Sequence, residues 1–169
     1  PASILLSYER ILLNLLQRMS GIASLTNTYV TKLDSSTIKI LDTRKTTPGL
    51  RAFEKHAVCI GGGYNHRFDL HEGVMIKDNH LIIVDNLDLS LQTFHATNPH
   101  KKIQLEVDTF DQLELFLNSL SVSLDAILLD NMDPDQTIRC VQLIRQHTPK
   151  CFIESSGGIN LDNILNYKN

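Results

Sequence analysis

The chain has no apolar run approaching the roughly 20 residues that a membrane-spanning helix needs. Cysteine is scarce and odd in number: Cys59, Cys140 and Cys151 stand far apart and in no metal-ligand spacing. That pattern supports neither a disulfide framework nor a cysteine-built metal site, and it leads us to expect buried thiols in a reducing, cytoplasmic setting. Neither a GxGxxG pattern nor a GxxxxGK followed by Ser or Thr occurs, so nothing supports a dinucleotide fold or a P-loop. Positive charge is also in short supply, with 16 Lys and Arg against 19 Asp and Glu for a net charge of −3. A general nucleic-acid binder would show the opposite balance. The opening residues are amphipathic and include Glu9, Arg10 and Arg18, unlike a secretory signal.

What is present is ordinary in amount and unusual in placement. The 169 residues are 42% hydrophobic and 21% charged, enough for one domain with a sizeable core. The cations gather between Asp42 and His80, where Arg44, Lys45, Arg51, Lys55, Arg67 and Lys77 stand with four of the seven histidines. A mildly acidic chain that concentrates its cations in this way points to a local site for a small anion.

Apolar periodicity predicts the scaffold. Ile4, Leu5, Tyr8, Ile11, Leu12, Leu15, Leu16 and Met19 follow the helical i, i+3, i+4 rule and predict one buried stripe. Ser20-Gly21 is expected to interrupt that helix, with a second running from about Ile22 to Lys32. Five short apolar runs follow, at 38–41, 74–76, 103–105, 126–129 and 151–153. Helical stretches separate most of them: 50–58, 87 to about 97, 110–120 with Leu113, Phe116, Leu117 and Leu120 on one side, and 134–147. The last opens on Pro134 and is expected to bury Ile138, Cys140, Val141 and Ile144. Alternating short strands and amphipathic helices imply an α/β domain with a parallel sheet, either open or closed into a barrel. In both architectures functional groups collect at the carboxyl ends of the strands.

The unusual residues follow those strand ends: Arg44 and Lys45, Lys77 and Asp78, Glu106 and Asp108, Asp130 and Asn131, then Glu154-Ser155-Ser156-Gly157-Gly158. Arg44 offers a planar fork for a carboxylate or phosphate, while Lys45 and Lys77 act as point charges. His66 and Arg67 form a second cationic pair. Glu106 and Asp130 suit Mg²⁺, often through water, or sugar hydroxyls. Asp108 is expected to cap the following helix, which releases Glu106. The Ser-Ser-Gly-Gly turn is expected to lead into a helix after Asn160 and to admit an anion, whereas Gly61-Gly62-Gly63 is a weaker signal of that kind. A zinc or iron site built from His66, His71, His80 and Asp78 is disfavoured by spacing and by the neighbouring cations Arg67 and Lys77. In DTRKTTPG (42–49) no acidic residue follows Arg44 and Lys45, and Pro48-Gly49 supplies turn chemistry.

With these motifs in place the chain resembles the quinolinate phosphoribosyltransferases, also called carboxylating nicotinate-nucleotide pyrophosphorylases. The matching stretches are ERILLNLLQRMSGIASLT (9–26), ILDTRKTTPGLRAFEKHAV (40–58), GGGYNHRFDL (61–70), VMIKDNHL (74–81), LEVDTF (105–110), ILLDNM (127–132) and ESSGGINLDNI (154–164). The resemblance implies an α/β fold, a parallel β/α barrel of the phosphoribosyltransferase type, with residues 1–36 as a helical dimer-contact segment and 37–169 as the barrel. It also implies an N-terminal sandwich domain and last barrel strands lying outside this sequence, so that the barrel given is expected to be incomplete. The implied reaction joins quinolinate to phosphoribosyl pyrophosphate and releases pyrophosphate and CO₂, yielding nicotinate mononucleotide for NAD synthesis. On this resemblance Arg44, His66, Arg67 and Lys77 bind quinolinate, and Arg10 completes that pocket in the neighbouring subunit of a homodimer. Lys45, Glu106 and Asp130 hold phosphoribosyl pyrophosphate and its Mg²⁺, with Ser156 and Gly157 near a phosphate; Lys77, Glu106 and Asp130 are the implied catalytic residues. No nucleic acid or membrane is implied. Two alternatives stay open: a related enzyme using nicotinate, and a folded but inactive piece that only binds ligand or dimerises.

Overall fold

The computed structural model describes residues 2–77, 80 and 84–168. Chain contacts divide it into two compact units. One ends at Phe68 and also takes in Lys168; the other runs Asp69–Tyr167. The expected boundary near residue 36 lies inside the first of these.

The first unit is built on helix α1 (Ala2–Leu33) and helix α2 (Arg51–Ile60). Ser20-Gly21 does not break α1. A mid-helix glycine costs only about 1 kcal/mol, which a helix of eight or more turns absorbs. Helix α2 packs on the second half of α1, and the glycines after α2 permit the approach. A Cβ on Gly61 would lie 2.4 Å from Ala23 O, and one on Gly63 would lie 2.9 Å from Thr26 Cγ2. The glycine triplet therefore serves packing. The apolar stripe expected to be buried along α1 is mostly exposed: Ile4, Leu5, Tyr8, Ile11, Leu12 and Leu16 all face out, while Thr26 and Leu33 are buried. The reason is local, because α2 meets only the later turns.

Residues 38–41 do not form the expected strand. A single parallel bridge joins Leu41 to Tyr64, with Tyr64 N donating to Ile40 O at 2.8 Å and Asp42 N to Tyr64 O at 3.1 Å. Two bonds around one residue pin the segment without extending a ladder.

The second unit alternates strand and helix: β1 (Gly73–Ile76), α3 (Leu87–Thr97), β2 (Lys102–Val107), α4 (Phe110–Ser119), β3 (Ala126–Asp130), α5 (Pro134–His147) and β4 (Phe152–Ser156), then a short 3₁₀ helix, Ile164–Tyr167. All pairings are parallel and the strand order is β1-β2-β3-β4. Each crossover thus moves to the next neighbour in the same direction. That is the winding of a β/α barrel, whereas a doubly wound sheet reverses at a switch point.

Period-two alternation gives the sheet two different faces. Ile103, Leu105, Val107, Ile127 and Leu129 are buried against Leu91 of α3, Leu113 of α4, and Cys140 and Ile144 of α5. Each such fully buried aliphatic side chain contributes about 1.5–3 kcal/mol. The alternate residues, Gln104, Glu106, Leu128, Asp130, Glu154 and Ser156, belong to the opposite face. On α5 Cys140 and Ile144 are buried as expected and Val141 packs partly buried against the same core, whereas Ile138 is exposed and Thr137 takes the remaining buried position. Burial pushes the thiols of Cys140 and Cys151 up, the latter to about 11. Cys59, expected to be buried, is exposed.

The helix starts are capped by residues other than the strand-end carboxylates. Asn86 caps α3, Thr109 caps α4, and Asp133 caps α5 with a reciprocal box to Gln136 and Pro134 in the first turn. Asp108 is therefore not the cap expected of it. The segment after Asn160 forms turns and the four-residue 3₁₀ helix, so no α-helix begins there.

Candidate active site

In the first unit the loop DTRKTTPG is held from both ends. The Asp42 carboxylate is buried and forms an ion pair with the buried ammonium of Lys55 on α2, 2.5 Å away. Lys55 Nζ also donates to His66 O at 2.8 Å, and His66 N donates to Asp42 Oδ1 at 2.9 Å. Farther along, Arg51 donates to Thr46 Oγ1 (3.1 Å), Arg44 O (3.3 Å) and Phe68 O (3.2 Å). Glu54 accepts from Thr47 N at 3.2 Å and from Arg18 Nε of α1 at 2.7 Å, and Arg18 also reaches Thr47 Oγ1. Burial pushes the Glu54 carboxyl up, but the hydrogen bonds from Thr47 and Arg18 outweigh it and hold the group below its ordinary value. Pro48-Gly49 makes the turn into α2, closed by Leu50 N donating to Thr47 O at 3.0 Å.

These bonds sort the cations. Arg51, Lys55 and Arg18 are consumed in shaping the loop. Arg44 keeps a buried Nε–H with no hydrogen-bond partner among the described residues, and Lys45 is exposed. His66 Nδ1 accepts from Arg67 N at 2.8 Å. In the neutral ring the proton then sits on Nε2, which makes that nitrogen the donor. Arg10 lies on the exposed part of α1.

In the second unit the strand ends carry the charge. Lys77, just past β1, pairs with Glu106 of β2 at 2.5 Å; Lys77 is 40% exposed and Glu106 only 12%. His80 Nδ1 accepts from Lys77 N at 3.0 Å. Glu106, Asp108 and Asp130 offer carboxylate oxygens that all lie within 4.8 Å of one another. Asp108 is two residues beyond Glu106 and so belongs to the same face. Asp130 is bracketed: Ser156 Oγ donates to its Oδ1, and Asn131 Nδ2 donates to its Oδ2 at 2.9 Å. Asn131 adopts a left-handed conformation with φ 54°, and its amide donates to Ser156 O at 2.8 Å. Gly157 makes room for it, since a Cβ there would sit 2.1 Å from Asn131 Oδ1. Three hard oxygen donors suit Mg²⁺ and match neither the nitrogen nor the sulfur sets that zinc prefers.

Over residues 22–169 the chain matches the family described as the quinolinate phosphoribosyl transferase C-terminal domain. It belongs to that family. The chain is 45% identical over 169 residues to a probable carboxylating nicotinate-nucleotide pyrophosphorylase of Bacillus subtilis, covering 99% of this chain and 56% of the relative. A carboxylating nicotinate-nucleotide pyrophosphorylase of Mycobacterium leprae is 42% identical over 163 residues, covering 96% and 56%. Among solved structures, NadC from Streptococcus pyogenes superposes with a TM-score of 0.83 at 42% identity, covering 98% of this chain and 56% of that one. A nicotinate-nucleotide pyrophosphorylase from Ehrlichia chaffeensis gives 0.83 at 38%, covering 94% and 56%. The chain spans about half the length of the curated relatives it matches.

For a quinolinate phosphoribosyltransferase domain, the sequence reading picked site residues that fall into two groups. Arg44, Lys45, His66 and Arg67 share the loops of the first unit, and Arg10 stands apart from them on α1. Lys77, Glu106, Asp130, Ser156 and Gly157 come together in the second. Asp78 lies outside the described residues. The reading missed Asp108 as a third carboxylate, although Thr109 with Gln112 three residues on already marks Thr109 as the cap. It also missed Asn131 as a bracket for Asp130. The hydroxyl of Ser156, expected beside a phosphate, is spent here on Asp130.

Proposed function

We propose that the protein transfers phosphoribose from phosphoribosyl pyrophosphate to quinolinate with loss of CO₂, forming nicotinate mononucleotide. The observation that carries this reading is Arg44. Its neighbours Arg51 and Lys55 are engaged in loop structure, yet its own buried Nε–H has no acceptor among the described residues. A buried guanidinium donor held this way asks for an anionic ligand, since an unmet buried donor is costly.

Arg44, His66 and Arg67 take carboxylates of quinolinate, with His66 donating through Nε2. Lys77 is assigned to a substrate carboxylate too, which means leaving Glu106. Glu106 and Asp130, with Asp108 beside them, and Lys45 hold phosphoribosyl pyrophosphate; the carboxylate trio fits a Mg²⁺ ion, which would neutralise charge on the departing pyrophosphate. As the C1–O bond to pyrophosphate breaks, positive charge grows on the ribose, and the fixed carboxylates of Glu106 and Asp130 stabilise it. The pyridine nitrogen supplies the new bond to C1. The resulting pyridinium then accepts the electron pair left when the adjacent carboxylate departs as CO₂, and a proton replaces it. Holding the substrate by its carboxylates also fixes which of the two lies next to the ribose. A homodimer in the cytoplasm, with Arg10 completing a neighbouring copy's quinolinate pocket, is part of the proposal. Incubation of the protein with quinolinate, phosphoribosyl pyrophosphate and Mg²⁺ should form nicotinate mononucleotide, and nicotinate in place of quinolinate should be a far poorer substrate. Equal turnover of the two acids, or none of quinolinate, would refute the reading.

A further inference from the structure

We propose that the buried Asp42–Lys55 ion pair is the positioning element of the quinolinate-binding loops, a role that rests on the functional reading above. Lys55 is 2% exposed and Asp42 6%, and neither can touch a substrate from there. Buried charges of this kind persist only when hydrogen bonds complete them, and here they do so with one target. Asp42 Oδ1 accepts from His66 N as well as from Lys55 Nζ, while Lys55 Nζ donates to His66 O. Asn65, with its amide oriented to satisfy both neighbours, donates to Asp42 Oδ2 and to Lys55 O. The pair thus grips His66 by both its N–H and its C=O.

The consequence runs to three ligand-facing groups. Asp42 stands two residues before Arg44, so the anchor that fixes His66 also fixes the start of the arginine's loop. Gripping His66 sets the direction of its ring, and the Arg67 amide then holds Nδ1 as an acceptor, leaving the proton on Nε2. Asn65-His66-Arg67 and Asp42-Thr43-Arg44 are 24 residues apart along the chain for the hydrogen-bonded pair Asp42 and His66. One buried carboxylate therefore ties together the two segments that would hold a pyridine dicarboxylate.

Single neutralisations such as Asp42→Asn leave an unpaired buried charge and lower stability, so they do not separate folding from positioning. The double variant Asp42→Asn/Lys55→Met does, because it removes both charges but cannot hold His66 O. We expect it to fold, as read by circular dichroism, to bind quinolinate about tenfold or more weakly by calorimetry, and to lose the Nε2–H tautomer of His66 in ¹⁵N NMR spectra. A folded double variant with wild-type affinity and tautomer overturns the proposal. Should the double variant not fold, hydrogen exchange on the unaltered protein decides: the His66 amide should exchange about a hundredfold slower than exposed loop amides, and exchange at loop rates overturns the proposal. An unaltered protein that binds no quinolinate refutes the functional reading itself, an outcome distinct from a loss confined to the variant.

Discussion

Replacing Gly157 with alanine should damage the second unit more than any other one-carbon change near the site. A Cβ there would lie 2.1 Å from Asn131 Oδ1, 2.6 Å from its Cγ and 2.7 Å from its backbone N, and the residue adopts φ +83°. The left-handed conformation alone costs an alanine about 1 kcal/mol. Relief of the contact requires Asn131 to move, which gives up the bond from its amide to Ser156 O and that from Nδ2 to Asp130 Oδ2. Each is worth about 1 kcal/mol, so the total is about 3 kcal/mol. For a chain of this size that corresponds to roughly 6–12 °C in melting temperature, measurable by circular dichroism. Asn131→Gly in the same chain removes the side-chain part of the clash and should return part of the loss, although the backbone N remains close. A Gly157→Ala protein that melts within about 2 °C of the parent would show that the Asn131 bracket is not the tight fit described.

Arg44→Ala should weaken quinolinate binding about tenfold or more with little change in melting temperature, because its Nε–H has no partner to lose; calorimetry checks this, and unchanged affinity would remove Arg44 from the site. Glu54 predicts an acid effect. Its carboxylate is favoured in the fold, so its contribution is complete above the ordinary value of 4.5 and is lost as pH falls through the lower folded value. Denaturation of the parent and of Glu54→Gln across pH 3 to 7 should therefore converge at the acid end, and a constant gap between them would contradict the assignment. Asp133→Ala should cost about 1 kcal/mol through loss of the cap on α5 and its box with Gln136, seen as a lower denaturant midpoint with an unchanged slope.

Strong local chemistry made most of the second unit legible from sequence. Pro134 after Asp133, with Gln136 at the third helical position, marks the start of α5 unambiguously, and the short apolar runs before charged residues mark β1 to β4. The direction of winding was not legible, since open and closed parallel sheets present the same alternation along the chain. The errors share a physical cause: they fall where tertiary partners override local pattern. Ile38–Leu41 has strand composition but, among the described residues, forms a single bridge, to Tyr64, and α1 has an amphipathic pattern but packs on α2 through its later turns. Asp108 looked like a cap because it precedes a helix; Thr109, one residue nearer, had the better geometry. Lys55 and Arg51 stood in the sequence only as members of the cation cluster, and it takes burial and their hydrogen bonds to show that they hold the loop.

We propose that this protein couples phosphoribosyl transfer to decarboxylation of quinolinate. Quinolinate labelled with ¹³C at the 2-carboxylate, incubated with phosphoribosyl pyrophosphate and Mg²⁺, provides the most direct measurement. One labelled CO₂ should be released for each pyrophosphate formed, with unlabelled nicotinate mononucleotide accumulating in step. Pyrophosphate released without labelled CO₂, or label retained in the nucleotide, would contradict it.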